Sequence, residues 1–436
     1  VSGLCNNATV GYPQITMNRT TRCLAMLALA IALPAQRAAA SLPALDGYVT
    51  RAASPTDFDV NGFRVLADGK TTFIQDVRTS AGTAMTTVDA PHPVLGAHAQ
   101  VYGKMDRRQH TIQAETAEFA TSPDAEVKGG AVIDALPAPQ AGNAGEKLIR
   151  ADGYRILLTP KTTMKFDAPL ASLSDVRTNL WISYKGERRA DGVVVASSAT
   201  LTANTAAARH EEAREKAGYD PEAVAPDAKQ NAVGKAFLGV DAKKIPPYHD
   251  DAMQARVSKI GDSLVPQYQK DLPDSDPAKL RFRFQLVDAP NERDAIIWPS
   301  GVVLVPKQVV ERMENDSQLA AVLADGIARL LEDQYYKLQS MKRKAVVFAI
   351  AATAGAGAIA GPLTGAGEYA EVVRNLQEQS ARVSLALMSD AGYTLAEAPK
   401  AWWILSSKKP KPLVDVQLPE RVQYVYEALD STWRDK

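Results

Sequence analysis

The sequence predicts an α+β chain: two small all-β units in the first half, then a mainly helical domain with a small sheet. Three observations carry that expectation. Short alternating runs broken by Gly, Asp, Asn and Pro fill residues 44–203, the pattern of strands joined by tight turns. A second set of these runs echoes the first. Beyond residue 250 the apolar residues shift to helical spacing, with one alternating strand and one hairpin among them. At 436 residues the chain is longer than one core usually organises. Basic and acidic residues balance at 50 each, so the totals call for neither nucleic acid nor an anionic membrane as partner. An apolar fraction of 46% argues against global disorder.

The first 40 residues read as an address rather than as structure. Met17 opens a short basic region with Arg19 and Arg22. An apolar run follows from Cys23 to Leu33, then Pro34 and the small residues Ala38, Ala39 and Ala40. This is the layout of a secretory signal peptide, with cleavage expected near Ala40. The run is too short to span a bilayer. Residues 1–16 then lie upstream of the true start, and the mature protein is expected to be periplasmic or secreted. Both cysteines, Cys5 and Cys23, fall in the removed segment. Disulfides, cysteine nucleophiles and thiolate metal sites are therefore not expected, nor is a lipid anchor on Cys23.

Residues 41–125 and 126–205 are the two β units. Asn61-Gly62-Phe63-Arg64-Val65 with Lys70-Thr71-Thr72-Phe73 recurs as Asp152-Gly153-Tyr154-Arg155-Ile156 with Lys161-Thr162-Thr163. Ala99 to Lys104, followed by Thr111 to Ala114, recurs as Trp181 to Gly186, followed by Val193 to Ala196. Two copies of one small unit suit tandem OB-like barrels of five or six strands. They resemble a small bacterial β-barrel domain of unknown function. Such barrels often bind oligonucleotides or glycans, but the fold alone licenses neither. Few aromatics are available for base stacking and no basic cluster stands out, so nucleic acid is not an expected partner.

Residues 206–249 are rich in Ala, Glu, Lys and Pro and read as a partly helical linker. The last domain is assigned to 250–436. Val257 to Leu264 has helical spacing, and Arg281 to Val287 alternates so that Phe282, Phe284 and Leu286 share a face. Ile296 to Val305, interrupted at Trp298-Pro299-Ser300-Gly301, reads as a hairpin. Asp316 is expected to cap the next helix. On that helix Leu319, Val322, Leu323, Ile327, Leu330 and Leu331 form a core stripe, and Gln318, Asp325, Arg329 and Glu332 form a polar stripe beside it.

Ser300-Gly301-Val302-Val303-Leu304-Val305 followed by Gln318-Leu319-Ala320-Ala321-Val322-Leu323-Ala324-Asp325-Gly326-Ile327-Ala328-Arg329 resembles the core of the HtpX-like/BepA-like gluzincin metallopeptidases. The end Leu387-Met388-Ser389-Asp390-Ala391-Gly392-Tyr393 resembles that family as well. The resemblance covers about residues 250–430 and implies a zincin-like fold. In the family this helix carries two His at i and i+4 that bind zinc, with a Glu between them as general base. Here those positions hold Asp325, Gly326 and Arg329. The family's third ligand is a Glu on a later helix, and counting back from Met388 puts Gln379 there, with Ala381 beside it. The family's later His-Pro motif is represented by Leu418-Pro419-x-Arg421. The zinc motif is thus degenerate: Arg329 has no lone pair to offer, Gly326 removes the base, and a neutral amide is a poor zinc ligand. An Asp325–Arg329 ion pair is expected instead.

No histidine follows His249, and His92, His98, His110, His210 and His249 lack ligand spacing. The stretch from Ala345 to Gly367 is uncharged and dominated by Ala and Gly behind Lys342-Arg343-Lys344. Its hydropathy is too weak for a convincing transmembrane helix; it is expected to be a close-packed helical excursion or a point of peripheral membrane contact.

The sequence therefore predicts a catalytically inactive, gluzincin-like protein of the cell envelope that binds or scaffolds other envelope proteins, without a cofactor. Two alternatives stay open. One is an active zinc metalloendopeptidase with unconventional ligands, Asp325 and Gln379 with a carboxylate such as Glu332. The other is an envelope glycan-binding protein acting through the β repeats.

Overall fold

The computed structural model describes residues 42–79, 82–89, 91–120, 126–137, 145–204, 245–298, 301–338, 361–407, 409 and 411–434. The segment read as a signal peptide, with both cysteines, His210, residues 205–244 of the expected linker and residues 345–360 of the Ala/Gly-rich stretch lie outside these. The architecture is mixed α+β, with sheets in the N-terminal half and helices in the C-terminal half, as expected.

The first sheet has seven strands: β1 (Leu45–Ser54), β2 (Asp57–Val60), β3 (Phe63–Leu66), β4 (Thr72–Thr79), β5 (Gly82–Val88), β6 (His98–Asp106) and β7 (Thr111–Ala120). Its order is β3-β2-β1-β6-β7-β4-β5, and β3 also pairs with β7. That extra pairing closes β1-β2-β3-β7-β6 into a five-stranded ring. The ring exists because alternate residues point inward: Val49, Phe58, Val60, Phe63, Val65, Val101, Ile112 and Phe119 form one buried cluster, with Phe58 and Phe119 edge to face at 5.3 Å.

The second sheet contains β8 (Glu126–Ala135), β9 (Lys147–Ala151), β10 (Tyr154–Leu158), β11 (Thr163–Phe166), β12 (Leu180–Arg188) and β13 (Val193–Ala203). Its order is β10-β9-β8-β12-β13-β11, with β10 returning to β13. The ring order matches that of the first sheet strand for strand. Local details match too. Asn61-Gly62 and Asp152-Gly153 both turn with positive φ, the backbone that a two-residue hairpin requires. Register shifts fall at Tyr102/Gly103 and Lys185/Gly186. Thr71 Oγ1 donates to the Ala114 carbonyl at 2.9 Å, as Thr162 Oγ1 does to Ala196 at 2.8 Å. The sequence echo is therefore a structural one.

The C-terminal half opens with α1 (Asp251–Leu264) and α2 (Gln267–Asp271). A three-stranded sheet follows, β14 (Arg283–Val287), β15 (Ile296–Ile297) and β16 (Val302–Pro306), in the order β14-β16-β15. The expected hairpin is β15–β16, antiparallel; β14 is parallel to β16. The last linker residues join this sheet, since Pro247 bridges Val287 and Tyr248 N–H donates to Leu286 O. Further helices among the described residues include α3 (Lys307–Arg312), α4 (Asp316–Leu331), α5 (Gly361–Asp390), α6 (Ala398–Ser406) and α7 (Glu420–Thr432). Among the described residues no helix is long and apolar enough to cross a membrane.

One expectation for α4 needs correction. Its cap is Asn315, whose side chain accepts from Gln318 N–H at 2.9 Å. Asp316 is the first helical residue, and its carboxylate pairs outward with Arg256 at 2.8 Å. The polar stripe lies inside the protein: on this helix only Asp316, Ser317 and Arg329 escape full burial. It packs against α1, α5 and α6 and against the hairpin, so it is the axle of the domain. Ala320, Ala321, Ala324 and Ala328 suit that position, because small side chains let neighbouring helices approach.

The barrel hairpins close onto this half. At the first tip, Asn61 Nδ2 donates to Val416 O at 3.2 Å and Asp415 N–H donates to Asn61 O at 3.2 Å. A Cβ on Gly62 would lie 1.7 Å from the Leu413 carbonyl oxygen, at a φ of +79°. Gly62→Ala is therefore expected to cost at least about 2 kcal/mol, from left-handed strain plus a clash with main chain that cannot rotate away. Gly69→Ala has open space around it and should be near neutral. Urea unfolding of the two variants in parallel checks the contrast.

Candidate functional site

Asp325, Gly326 and Arg329 lie in the second half of α4, where the helix passes the β15–β16 hairpin. A Cβ at Gly326 would meet Ile297 Cδ1 at 2.6 Å and Val303 Cγ1 at 3.6 Å. Glycine here lets the helix seat against the hairpin. A longer side chain would have to displace Ile297.

The expected i, i+4 pair is present and is half of a larger arrangement. Arg329 Nε donates to Asp325 Oδ2 at 2.8 Å, and its Nη2 reaches Asp294 Oδ2 at 3.1 Å. Arg421, at the start of α7, donates from Nη2 to Asp325 Oδ2 at 2.5 Å and from Nη1 to Asp294 Oδ2 at 2.6 Å. Asp294 comes from the loop before β15, and its Oδ1 accepts from Ala295 N–H at 2.7 Å. Two carboxylates and two guanidiniums thus alternate around a ring, tying α4, α7 and the sheet together. The Arg421 guanidinium also lies over the Trp402 ring at 3.3 Å, the stacking its flat delocalised group favours. Asp325 is the deepest member, its side chain 5% exposed against about a third for the other three.

The ring's electrostatics follow from its composition. Burial alone would raise the Asp294 carboxyl, but Arg421 and Arg329 outweigh it and hold it down at about 2. Burial alone would depress Arg329, and Asp325 and Asp294 override that to strengthen its positive charge. The donor set does not suit a divalent cation. Each carboxylate already faces two fixed positive charges, and a guanidinium has no lone pair to give. Each of the four groups already spends its hydrogen bonds on the others.

Gln379 does not join this ring. It lies on α5 with its Nε2 donating to Gly130 O at 3.3 Å and to Glu332 Oε2 at 3.4 Å. Its Oε1 accepts from Gln334 Nε2 at 3.3 Å and from Lys337 Nζ at 3.4 Å. Grouping Gln379 with Asp325 is therefore corrected: α5 presents it to the end of α4 and the second barrel. Glu332 is two helical turns, about 10 Å of rise, beyond Asp325, so Asp325, Gln379 and Glu332 do not gather around one point. Of the histidines in the described residues, His98 pairs with Asp46 at 2.6 Å, and His92, His110 and His249 are exposed.

Glu332 is buried at 2% exposure. Burial raises its carboxyl well above the ordinary value, with Lys337 and the Val132 N–H opposing. The folded state thus holds this proton more tightly than the unfolded chain. The favourable contribution is complete below the unfolded value, 4.5, and is lost as pH rises toward the folded one. Glu332→Gln should accordingly gain stability relative to the parent at pH 8 and little at pH 5, read as denaturation midpoints at the two pH values.

Sequence reasoning missed Asp294 and Trp402. Asp294 stands in the charged run Asn291-Glu292-Arg293-Asp294 just before an apolar strand, which hints at a polar contact but not at its partners. Arg421 was visible as a motif position and not as a ring member. No protein-family model matches the chain, and no curated protein matches it.

Proposed function

We propose that this chain is a catalytically inactive, gluzincin-peptidase-like protein of the cell envelope that binds or scaffolds other proteins. The observation that carries the reading is the Asp294–Arg329–Asp325–Arg421 ring. It occupies the i, i+4 positions where the resembled family holds zinc, and it fills them with charges that satisfy one another. Gly326 stands where the general base would be, pressed against Ile297.

The finer architectural reading is a zincin-like domain over about 250–430, preceded by two OB-like barrels over 41–125 and 126–205. The chain order of α1, β14, the β15–β16 hairpin and α4, with the short α2 and α3 between them, supports the zincin-like reading. The ring order of each sheet, first-second-third-fifth-fourth with the third and fifth parallel, is what supports the OB-like reading. The signal-peptide layout of residues 17–40 supports a periplasmic or secreted location.

The test uses casein as an unfolded protein substrate. The reading expects the purified chain to retain casein in a sedimentation or anisotropy assay without cleaving it, with and without added zinc. Chelator-sensitive cleavage that disappears in Asp325→Ala would replace this reading with the active metalloendopeptidase.

A further inference from the structure

We infer that the open edge of β11 receives an extended segment of a partner polypeptide, added as an antiparallel strand with an acidic residue opposite Lys165. This rests on the protein-binding reading above and names the place and chemistry of that binding. The internal repeat supplies the comparison. In the first β unit, β4 runs parallel to β7 and carries β5 on its other edge. In the second, β11 runs parallel to β13 and pairs with no other strand among the described residues. The two strands correspond position by position, because the bridging hydroxyls of Thr71 and Thr162 fix the same start. Phe73, Ile74 and Gln75 then match Met164, Lys165 and Phe166. The first three lie opposite Val88, Thr87 and Thr86 of β5. On that side the second three have no strand partner among the described residues.

The backbone at this edge is set to take a further strand. Asp167 N–H donates to Leu201 O at 3.0 Å, and Phe166 lies opposite Leu201 in the ladder. Alternation along the strand then turns the N–H and C=O groups of Thr163 and Lys165 toward β13 as well, and those of Met164 and Phe166 into the open edge. The Met164 and Phe166 side chains are half-buried against the core of the second unit, while Thr163 and Lys165 are exposed. An added strand would extend that core with the residues opposite Met164 and Phe166 and set the residue between them beside Lys165. Main-chain bonds would supply affinity and the alternating side chains selectivity.

The kind of occupant follows from Lys165, which makes no ion pair among the described residues. A second copy paired antiparallel through the same backbone groups would set Met164 opposite Phe166 and Lys165 opposite the other Lys165. Like charges directly opposite destabilise a ladder and opposite charges stabilise it, and a lysine on an edge strand guards against self-association. The edge is therefore closed to its own copy and open to a strand with Asp or Glu at that place. Ile74, the counterpart of Lys165 on the covered strand, lies opposite the uncharged Thr87, so the charge is found on the edge that is left open.

The experiment uses the full chain and two dye-labelled peptides patterned on β5, acetyl-Thr-Ala-Met-Thr-Glu-Val-Gly-amide and its twin with Lys in place of Glu. Fluorescence anisotropy at low salt is expected to show the Glu peptide binding at least fivefold more tightly. Lys165→Glu should reverse the order while the melting temperature stays within a few degrees, because the side chain is exposed. N-methylation of the peptide's valine, which removes a ladder donor, should abolish binding. Amide exchange followed by NMR should be fast at Met164 and Phe166 in the free chain and slowed there by the Glu peptide. Equal binding of the two peptides, an order that Lys165→Glu leaves unchanged, or binding without slowed exchange at Met164 and Phe166 overturns the inference. So does a dimer of the chain that the Glu peptide dissociates, which would give the edge to a second copy. If casein is retained and neither peptide binds, the edge assignment alone fails; if casein is not retained either, the protein-binding reading fails with it.

Discussion

Replacing Asp325 by alanine is expected to lower the unfolding free energy by about 2–4 kcal/mol. The figure sits between two limits. Breaking a fully buried ion pair costs about 3–5 kcal/mol because a charge is left behind without a partner. Exposed pairs are worth about 1 kcal/mol or less. Asp325 is buried, but Arg329 and Arg421 are about a third exposed and can partly rehydrate. Both guanidiniums would then converge on Asp294 alone. Arg329→Met should cost less, since Asp325 keeps Arg421 at 2.5 Å. Asp294 adds a pH signature. Its folded value of about 2 lies below the ordinary 3.8, so its contribution is present above the unfolded value and is lost as pH falls toward the folded one. Asp294→Asn should flatten that acid limb between about pH 4 and pH 2, measured as the denaturation midpoint against pH.

Arg382→Ala should be at least as damaging, by about 3–5 kcal/mol, and for a different reason. Its partner Asp152 is 4% exposed and sits at the hairpin tip of the second barrel, where Tyr184 also donates to it at 2.7 Å. Removing the guanidinium strands that carboxylate and takes away the clamp between α5 and the barrel. Lysine should rescue little, because it lacks the planar fork that reaches both the Asp152 carboxylate and carbonyl and stacks on Tyr154. In a double-mutant cycle, Asp152→Ala with Arg382→Ala should cost clearly less than the sum of the single changes. Urea unfolding of the four proteins checks this; strict additivity would show that the two residues do not act as a pair.

How far the sequence speaks differs by kind of feature. The β repeats were legible because Asn61-Gly62 and Asp152-Gly153 demand the same turn and the residues after them alternate. The hairpin at Ile296 to Val305 was legible for the same reason, since its register follows from a short apolar run around a turn. The burial of α4 was not. The spacing placed Gln318 on a polar stripe beside the core without saying what covers it; Gln318 is buried, with its side chain donating to Glu397 at 2.8 Å and accepting from Glu314 N–H at 2.9 Å. A buried amide with good partners looks like a surface residue in one dimension. Half of the charge ring was readable as an i, i+4 pair on one helix; Asp294 and Arg421 lie outside that helix and 127 positions apart. The pairs Asp152–Arg382 and Arg150–Asp390 join residues 230 and 240 positions apart, and no local pattern encodes them.

The central claim is that charge pairing has taken the place of a metal on α4, and metal content tests it most directly. The chain, purified without a metal-affinity step, equilibrated with zinc and dialysed, is predicted to carry well under one equivalent by plasma mass spectrometry, unchanged in Asp325→Ala. One tightly held equivalent per chain that is lost in Asp325→Ala would contradict it.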